Sequence, residues 1–152
     1  MPGNNNHALK GVFFAQSGRD GHIITTQIEH PAVLNPCRFL ERLGASITYL
    51  PVDRFGRVDP EDVRHAITPR TILISVMHAN NEVGTLQPIC EIARIARERG
   101  ILFHTDAAQS AGKTPVRVDE LGVDLLSLPA TSFMRRRALV FFMFARVLRW
   151  SR

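Results

Sequence analysis

The sequence predicts an α/β fold, a mostly parallel sheet with flanking helices. Three observations carry that reading: short β-branched runs alternate with helical apolar stripes, one of those runs is apolar almost throughout, and turn residues close the helices. Repeated strand–helix–strand units imply parallel strands joined by right-handed crossovers.

HIITTQI at 22–28 is short and β-branched and reads as the first strand. The run PAVLNPCRFLERLG at 31–44 places Val33, Leu34, Cys37, Leu40 and Leu43 at helical spacing. Pro31 suits its start and Gly44 its end. Pro36 has no N–H to give and is expected to shift or kink that start. SITYLPV at 46–52 is a second strand. Asp59 before PEDVRHAI is an N-cap, with acids in the first turn where the helix dipole favours them. TILISVM at 71–77 is nearly all apolar, as a strand covered on both faces should be. A helix follows at 88–99, with an Ile89, Ile92, Ala93, Ala96 stripe ended by Gly100; ILFHTD at 101–106 and VDLLSL at 123–128 are the remaining strands.

The 152 residues leave room for one domain with a real core, burying roughly two thirds of the surface of the unfolded chain. An apolar share of 45% with 22% charged residues fits a soluble globular class. The net charge of +5 would suggest an anionic partner, but its location undoes that. Six of the 19 basic residues are arginines beyond residue 130, which leaves 13 against all 14 acidic residues, a body near −1. No nucleic-acid partner is therefore expected of it. No segment approaches the roughly 18 apolar residues of a membrane span, and no membrane role is expected. Cys37 and Cys90 show no metal spacing; with no signal peptide visible they are expected to be reduced core thiols of a cytoplasmic protein.

In parallel sheets ligands gather at the carboxyl ends of the strands. The notable polar residues fall there: Glu29 and His30, then His78 through Glu82, then Asp106 with Gln109. Singly, each has a plain alternative. His30 before a proline reads as a loop or capping residue, NNEVG as a turn, and Asp106 as a cap. No G-x-S-x-G turn presents a nucleophilic serine. His104 and Asp106 share a strand face, but nothing fixes a third ligand beside them or His78, so no metal is expected. Together the residues suit a pyridoxal phosphate site. The ring nitrogen of that cofactor must stay protonated, and Asp106 offers a carboxylate for it. The flat His30 ring can stack on the cofactor and move protons, and Asn81 and Gln109 offer amides to the ring oxygen and a substrate carboxylate.

HIITTQIEHPAVL, MHANNEVGTLQPI and FHTDAAQSAGKTPVRVDELGVDLLS resemble the class V aminotransferase-fold cysteine desulfurases, over nearly all of 5–130. The resemblance implies a piece of the large domain of the pyridoxal-phosphate-dependent transferase fold, the aspartate aminotransferase-like one, with 1–130 its central part. It implies conversion of L-cysteine to L-alanine, with the sulfur passed to a catalytic cysteine for iron–sulfur cluster assembly. It also implies homodimers that hand sulfur to scaffold proteins. By it, His30 matches the ring-stacking histidine, Asp106 the pyridine-nitrogen aspartate, and Asn81 and Gln109 the polar residues around ring oxygen and substrate. The similar selenocysteine lyases are one alternative, a non-catalytic partner of a full-length desulfurase another.

The chain also departs from that family. A serine or threonine–glutamate loop that holds the cofactor phosphate would precede NNHALKG, where this chain has only Met1, Pro2, Gly3 and Asn4. Pro129 stands where the family has a serine. The lysine that carries the cofactor as a Schiff base would lie in an H-K-x-Y-x-P-K-G segment after Ala130, where this chain reads TSFMRRRALVFFMFAR. Its lysines, Lys10 and Lys113, match non-catalytic positions and are expected at the surface. The chain is therefore expected to be inactive, with at most a weak, non-covalent hold on the cofactor.

Residues 131–152 have no Asp or Glu, and four of the nine phenylalanines crowd into 133–144. Joining the last base of each codon from Ala130 to the first two of the next allows HKFYAPKGVG, then LYVR one residue on, which is the family's own motif. The reading frame is expected to slip near Ala130, leaving an out-of-frame tail. A basic membrane-surface helix or a phosphate-contacting arm would be the rival readings. Sequencing of the coding DNA should show a one-base shift that restores HKFY; bases incompatible with that reading exclude the slip.

Overall fold

The computed structural model describes residues 3–16, 20–80, 84–108 and 118–128. Its elements run α1 (Gly3–Gln16), β1 (His22–Thr26), α2 (Pro31–Arg42), β2 (Ser46–Leu50), α3 (Pro60–Ala66), β3 (Thr71–Ser75), α4 (Ile89–Glu98), β4 (Leu102–Asp106), α5 (Val118–Leu121) and β5 (Leu125–Ser127). The strands form one sheet in the order β2-β1-β3-β4-β5, and all four pairings are parallel. The α/β expectation holds, and each strand is shorter than its apolar run.

Helix ends follow the chemistry of their residues. Asp59 caps α3 by accepting from the Glu61 N–H at 2.9 Å. After α4, Gly100 takes φ +66°, so its N–H reaches the Arg97 carbonyl and the Ile101 N–H reaches that of Ala96. Gly44 closes α2 in the same way, with the Ala45 N–H on the Leu40 carbonyl. Pro36 does not act as expected. α2 begins at Pro31 and continues through Pro36 as one helix, its Val33, Pro36, Cys37 and Leu40 face buried. A mid-helix proline costs about 3 kcal/mol, and the packed face of α2 outweighs that local cost.

Two apolar layers sandwich the sheet. Ile24, Ile74, Val76, Phe103 and Leu126 pack with α3 and α4 residues on one face. On the other, Ile23, Leu73 and Leu125 pack against α2 and the Ala8, Leu9, Val12, Phe13 side of α1. That α1 forms a helix is a finding absent from the sequence reading. Its asparagines and Gly11 are poor helix formers, and the buried Leu9 and Phe13 hold it against the sheet instead.

Two buried histidines tie strands together within the layers. His22 in β1 bonds Thr71 through Nδ1 and Thr48 through Nε2, both at 2.7 Å. His104 in β4 bonds Ser75 through Nδ1 at 2.8 Å and Ser127 through Nε2 at 2.9 Å. Each ring thus bridges the two strands flanking its own. With both nitrogens engaged by serines, His104 is a poor metal ligand; among the described residues no group of three His, Cys, Asp or Glu side chains is placed to hold a metal. No helix among them is long and apolar enough to cross a membrane.

Burial pushes the fully enclosed His104 down to about 4, against a smaller upward pull from Asp106. The folded value lies below the unfolded 6.5, so the neutral ring's contribution is complete above pH 6.5 and is lost as pH falls through 4. Urea midpoints measured from pH 7 down to 4 should fall by the equivalent of about 3 kcal/mol, and His104→Gln should flatten that part of the profile.

Candidate functional site

The first turn of α1 meets the carboxyl ends of β4 and β5, and the end of β1 is tied to the exit of β3. Asp106 ends β4 and lies buried. Its Oδ2 accepts from the Asn5 Nδ2 at 2.7 Å and its Oδ1 from the Ala108 N–H at 2.9 Å. Its carbonyl accepts from the His78 N–H at 2.9 Å, which ties the β3 exit to the same point. Asn4 on the neighbouring position of α1 donates to the Leu128 carbonyl at 3.1 Å. The start of α1 is therefore fastened across the ends of β4 and β5, and Asp106 is held by two N–H donors.

Glu29 follows β1 and is only 4% exposed. Its Oε1 accepts from the Thr26 hydroxyl at 2.9 Å and from the Met77 N–H at 2.8 Å, while Oε2 is buried with no hydrogen-bond partner among the described residues. Burial pushes the carboxyl up to about 8; the nearby Asp106 charge adds to the rise, and the two hydrogen bonds oppose it. His78, beyond β3, is also buried, and desolvation lowers its pKa.

His30 stands exposed at the start of α2, where its Nδ1 accepts from the Ala32 N–H at 3.1 Å. The plain reading of this residue as a cap is thus what the hydrogen bonds display. An accepting Nδ1 assigns the proton of the neutral ring to Nε2, the nitrogen left for other work. Asn81 and Gln109 lie outside the described residues. Around the former, Ala79 and Leu86 make an antiparallel bridge and Gly84 takes φ +69°, in keeping with a turn.

Of the four site residues expected from sequence, the described chain thus contains His30 and Asp106, both at carboxyl ends of strands. Asn5 and Glu29 were given no role by the sequence: Asn5 precedes the first recognised strand, and Glu29 was visible only as a strand-end acid. One expectation is overturned. Cys37 is buried, its thiol pushed up to about 12 chiefly by desolvation, but Cys90 is exposed. It falls between the buried Ile89 and Ile92 on the outer side of α4, and its Sγ donates to the Glu120 carbonyl at 3.6 Å. Lys10 is half-buried with Nζ 3.8 Å from the centre of the Phe39 ring, while Lys113 is outside the described residues.

The capping bond separates two roles of His30. His30→Ala should cost about 1 kcal/mol of folding stability in chemical denaturation, and His30→Asn almost none, because an asparagine oxygen caps equally well.

The family model described as aminotransferase class-V matches residues 4–132. A cysteine desulfurase IscS of Dictyoglomus turgidum is 62% identical over 130 residues, covering 86% of this chain and 33% of the relative. A cysteine desulfurase IscS of Methanosarcina thermophila is 53% identical, covering 86% of this chain and 32% of the relative. Among solved structures, SspA in complex with cysteine superposes with a TM-score of 0.82 at 46% identity, over 86% of this chain and 38% of that one. DndA from Streptomyces lividans does so with 0.76 at 38%, over 86% and 37%. The chain spans about a third of the length of the curated relatives it matches. It belongs to the class-V aminotransferase family, whose members depend on pyridoxal phosphate.

Proposed function

We propose that residues 1–130 are the central part of a cysteine desulfurase large domain and carry the ring-binding portion of its pyridoxal phosphate site. The observation that carries this is the Asp106 carboxylate at the end of β4, steadied on one oxygen by Asn5 and on the other by the Ala108 N–H. A carboxylate has about four acceptor positions, of which Asn5 and the Ala108 N–H take two, so room remains for a ring N–H, and the donor set fits the pyridine end of the cofactor. When bound, the cofactor supplies an electron sink for the amino-acid substrate. Asp106 would keep its ring nitrogen protonated. His30, through Nε2, would lie against the ring and exchange a proton with the substrate. Asn81 and Gln109 would orient the ring oxygen and the substrate carboxylate. The relatives, cysteine desulfurases and a protein solved in complex with cysteine, support L-cysteine as that substrate.

The same proposal includes homodimers, transfer of sulfur to scaffold proteins, and a cytoplasmic setting, the last in keeping with two free thiols. It also includes an out-of-frame origin for 131–152, in keeping with a family match that stops at 132. Lys10 is engaged with Phe39 on the α1–α2 side, and 131–152 contain no lysine. The chain as it stands should therefore hold the cofactor without a covalent bond and leave cysteine unchanged.

Pyridoxal phosphate titrated into the 152-residue chain should bind reversibly, and Asp106→Ala should weaken that binding about 10- to 100-fold, the loss of one charge-assisted hydrogen bond. Borohydride reduction followed by peptide mass mapping should find no adduct on Lys10 or Lys113. An adduct, or alanine formed from cysteine, would overturn the proposed inactivity; binding unaffected by Asp106→Ala would overturn the site.

A further inference from the structure

The strand order reverses between β1 and β3. From β1 the chain turns to α2 on one face, and from β3 it goes on to α4 on the other. At such a reversal the departing loops separate and leave a crevice beyond the carboxyl ends of the two strands. Backbone pairing cannot close that gap, since the last β1–β3 register pair described is Ile24 with Ile74. One side chain crosses it. Glu29, on the β1–α2 junction, takes the Met77 N–H beyond β3 on the same oxygen that receives the Thr26 hydroxyl. The residue next to Glu29 is His30.

The hydrogen-bond inventory of the two neighbouring carboxyls is uneven. Both oxygens of Asp106 and Oε1 of Glu29 receive donors; Oε2 of Glu29 is buried and receives none among the described residues. A bare oxygen of an ionised carboxylate in that position would suffer both desolvation and repulsion from Asp106. A proton on it removes the repulsion and lowers the desolvation cost from that of a charge to that of a neutral group.

We propose that Glu29 is a positioning residue of this site: a carboxyl that keeps its proton and clamps the junction bearing His30 to the exit of β3 without adding a second negative charge beside Asp106. The inference rests on the reading of His30 and Asp106 as cofactor-facing residues. Its effect is electrostatic selection. With Glu29 neutral, the charge offered at the carboxyl ends of β3 and β4 stays on Asp106, matched to a single cationic ring N–H. Among the described residues the titratable groups facing Glu29 are Asp106 from β4 and Cys37 from α2, and neither supplies a positive charge.

The sign of the pH effect follows. The folded value of about 8 lies above the ordinary 4.5, so the clamp's contribution is complete below pH 4.5 and is lost as pH rises through 8. The test is NMR of the isotopically labelled 152-residue chain without cofactor. The Glu29 carboxyl carbon should titrate with a midpoint near 8, and the Met77 amide signal should move with the same midpoint. Glu29→Gln keeps an acceptor at Oε1 and should abolish that inflection, leaving the Met77 amide at its low-pH position. Glu29→Ala should remove the exchange protection of the Met77 amide by at least tenfold and shift the His30 ring. A midpoint in the ordinary carboxylate range, an inflection that survives in Glu29→Gln, or a His30 ring indifferent to Glu29→Ala overturns the proposal. Should Glu29→Ala not fold, the wild-type and Glu29→Gln titrations still decide it. Because no cofactor is present, a chain that fails to bind pyridoxal phosphate yet shows the inflection overturns the site reading and supports the clamp.

Discussion

The reversal of strand order between β1 and β3 is the constraint from which the rest of this molecule follows. A parallel sheet satisfies its backbone only while strands run side by side, and where the chain parts to opposite faces the ladder stops. The polar groups at that parting need partners from side chains. Thr26, Glu29 and the Met77 N–H answer one another there, and Asp106, Asn5 and the Ala108 N–H do the same one strand further on. A site of buried polar residues thus arises where the fold could not pair its own backbone.

The same economy governs the sheet interior. His22 and His104 each sit on a strand between two others and hand one nitrogen to a hydroxyl on either side. Moving any of these strands by one residue would carry the hydroxyl to the opposite face. The polar triads therefore fix register as well as satisfying buried groups. They also divide the pH response, since His104 favours the fold at higher pH and Glu29 at lower.

Much of this was legible in sequence, for local reasons. The β-branched runs, the apolar stripe of α4, the Asp59 cap and the Gly44 and Gly100 stops all state their structure within a few residues. What was not legible depends on distant packing. α1 owes its helix to Leu9 and Phe13 meeting the sheet, Pro36 survives because its neighbours are buried, and Cys90 faces outward because the stripe beside it is narrow. The site divides on the same line. The strand-end places of Asp106 and His30 were readable, whereas Asn5 meets Asp106 only when α1 lies across β4, a contact spanning 101 residues of sequence. Glu29 was conspicuous as an acid but not as a neutral one, because its environment is assembled from three strands.

The contrast between the two thiols has a practical consequence. Cys90 is open to reagents from the surface, while Cys37 lies on the buried face of α2 with no exposed area. An alkylating label will thus modify the first at once and reach the second only when α2 lifts from the sheet. The chain carries its own stopwatch for that opening, read from the lag between one added mass and two, with no foreign probe inserted anywhere in the structure.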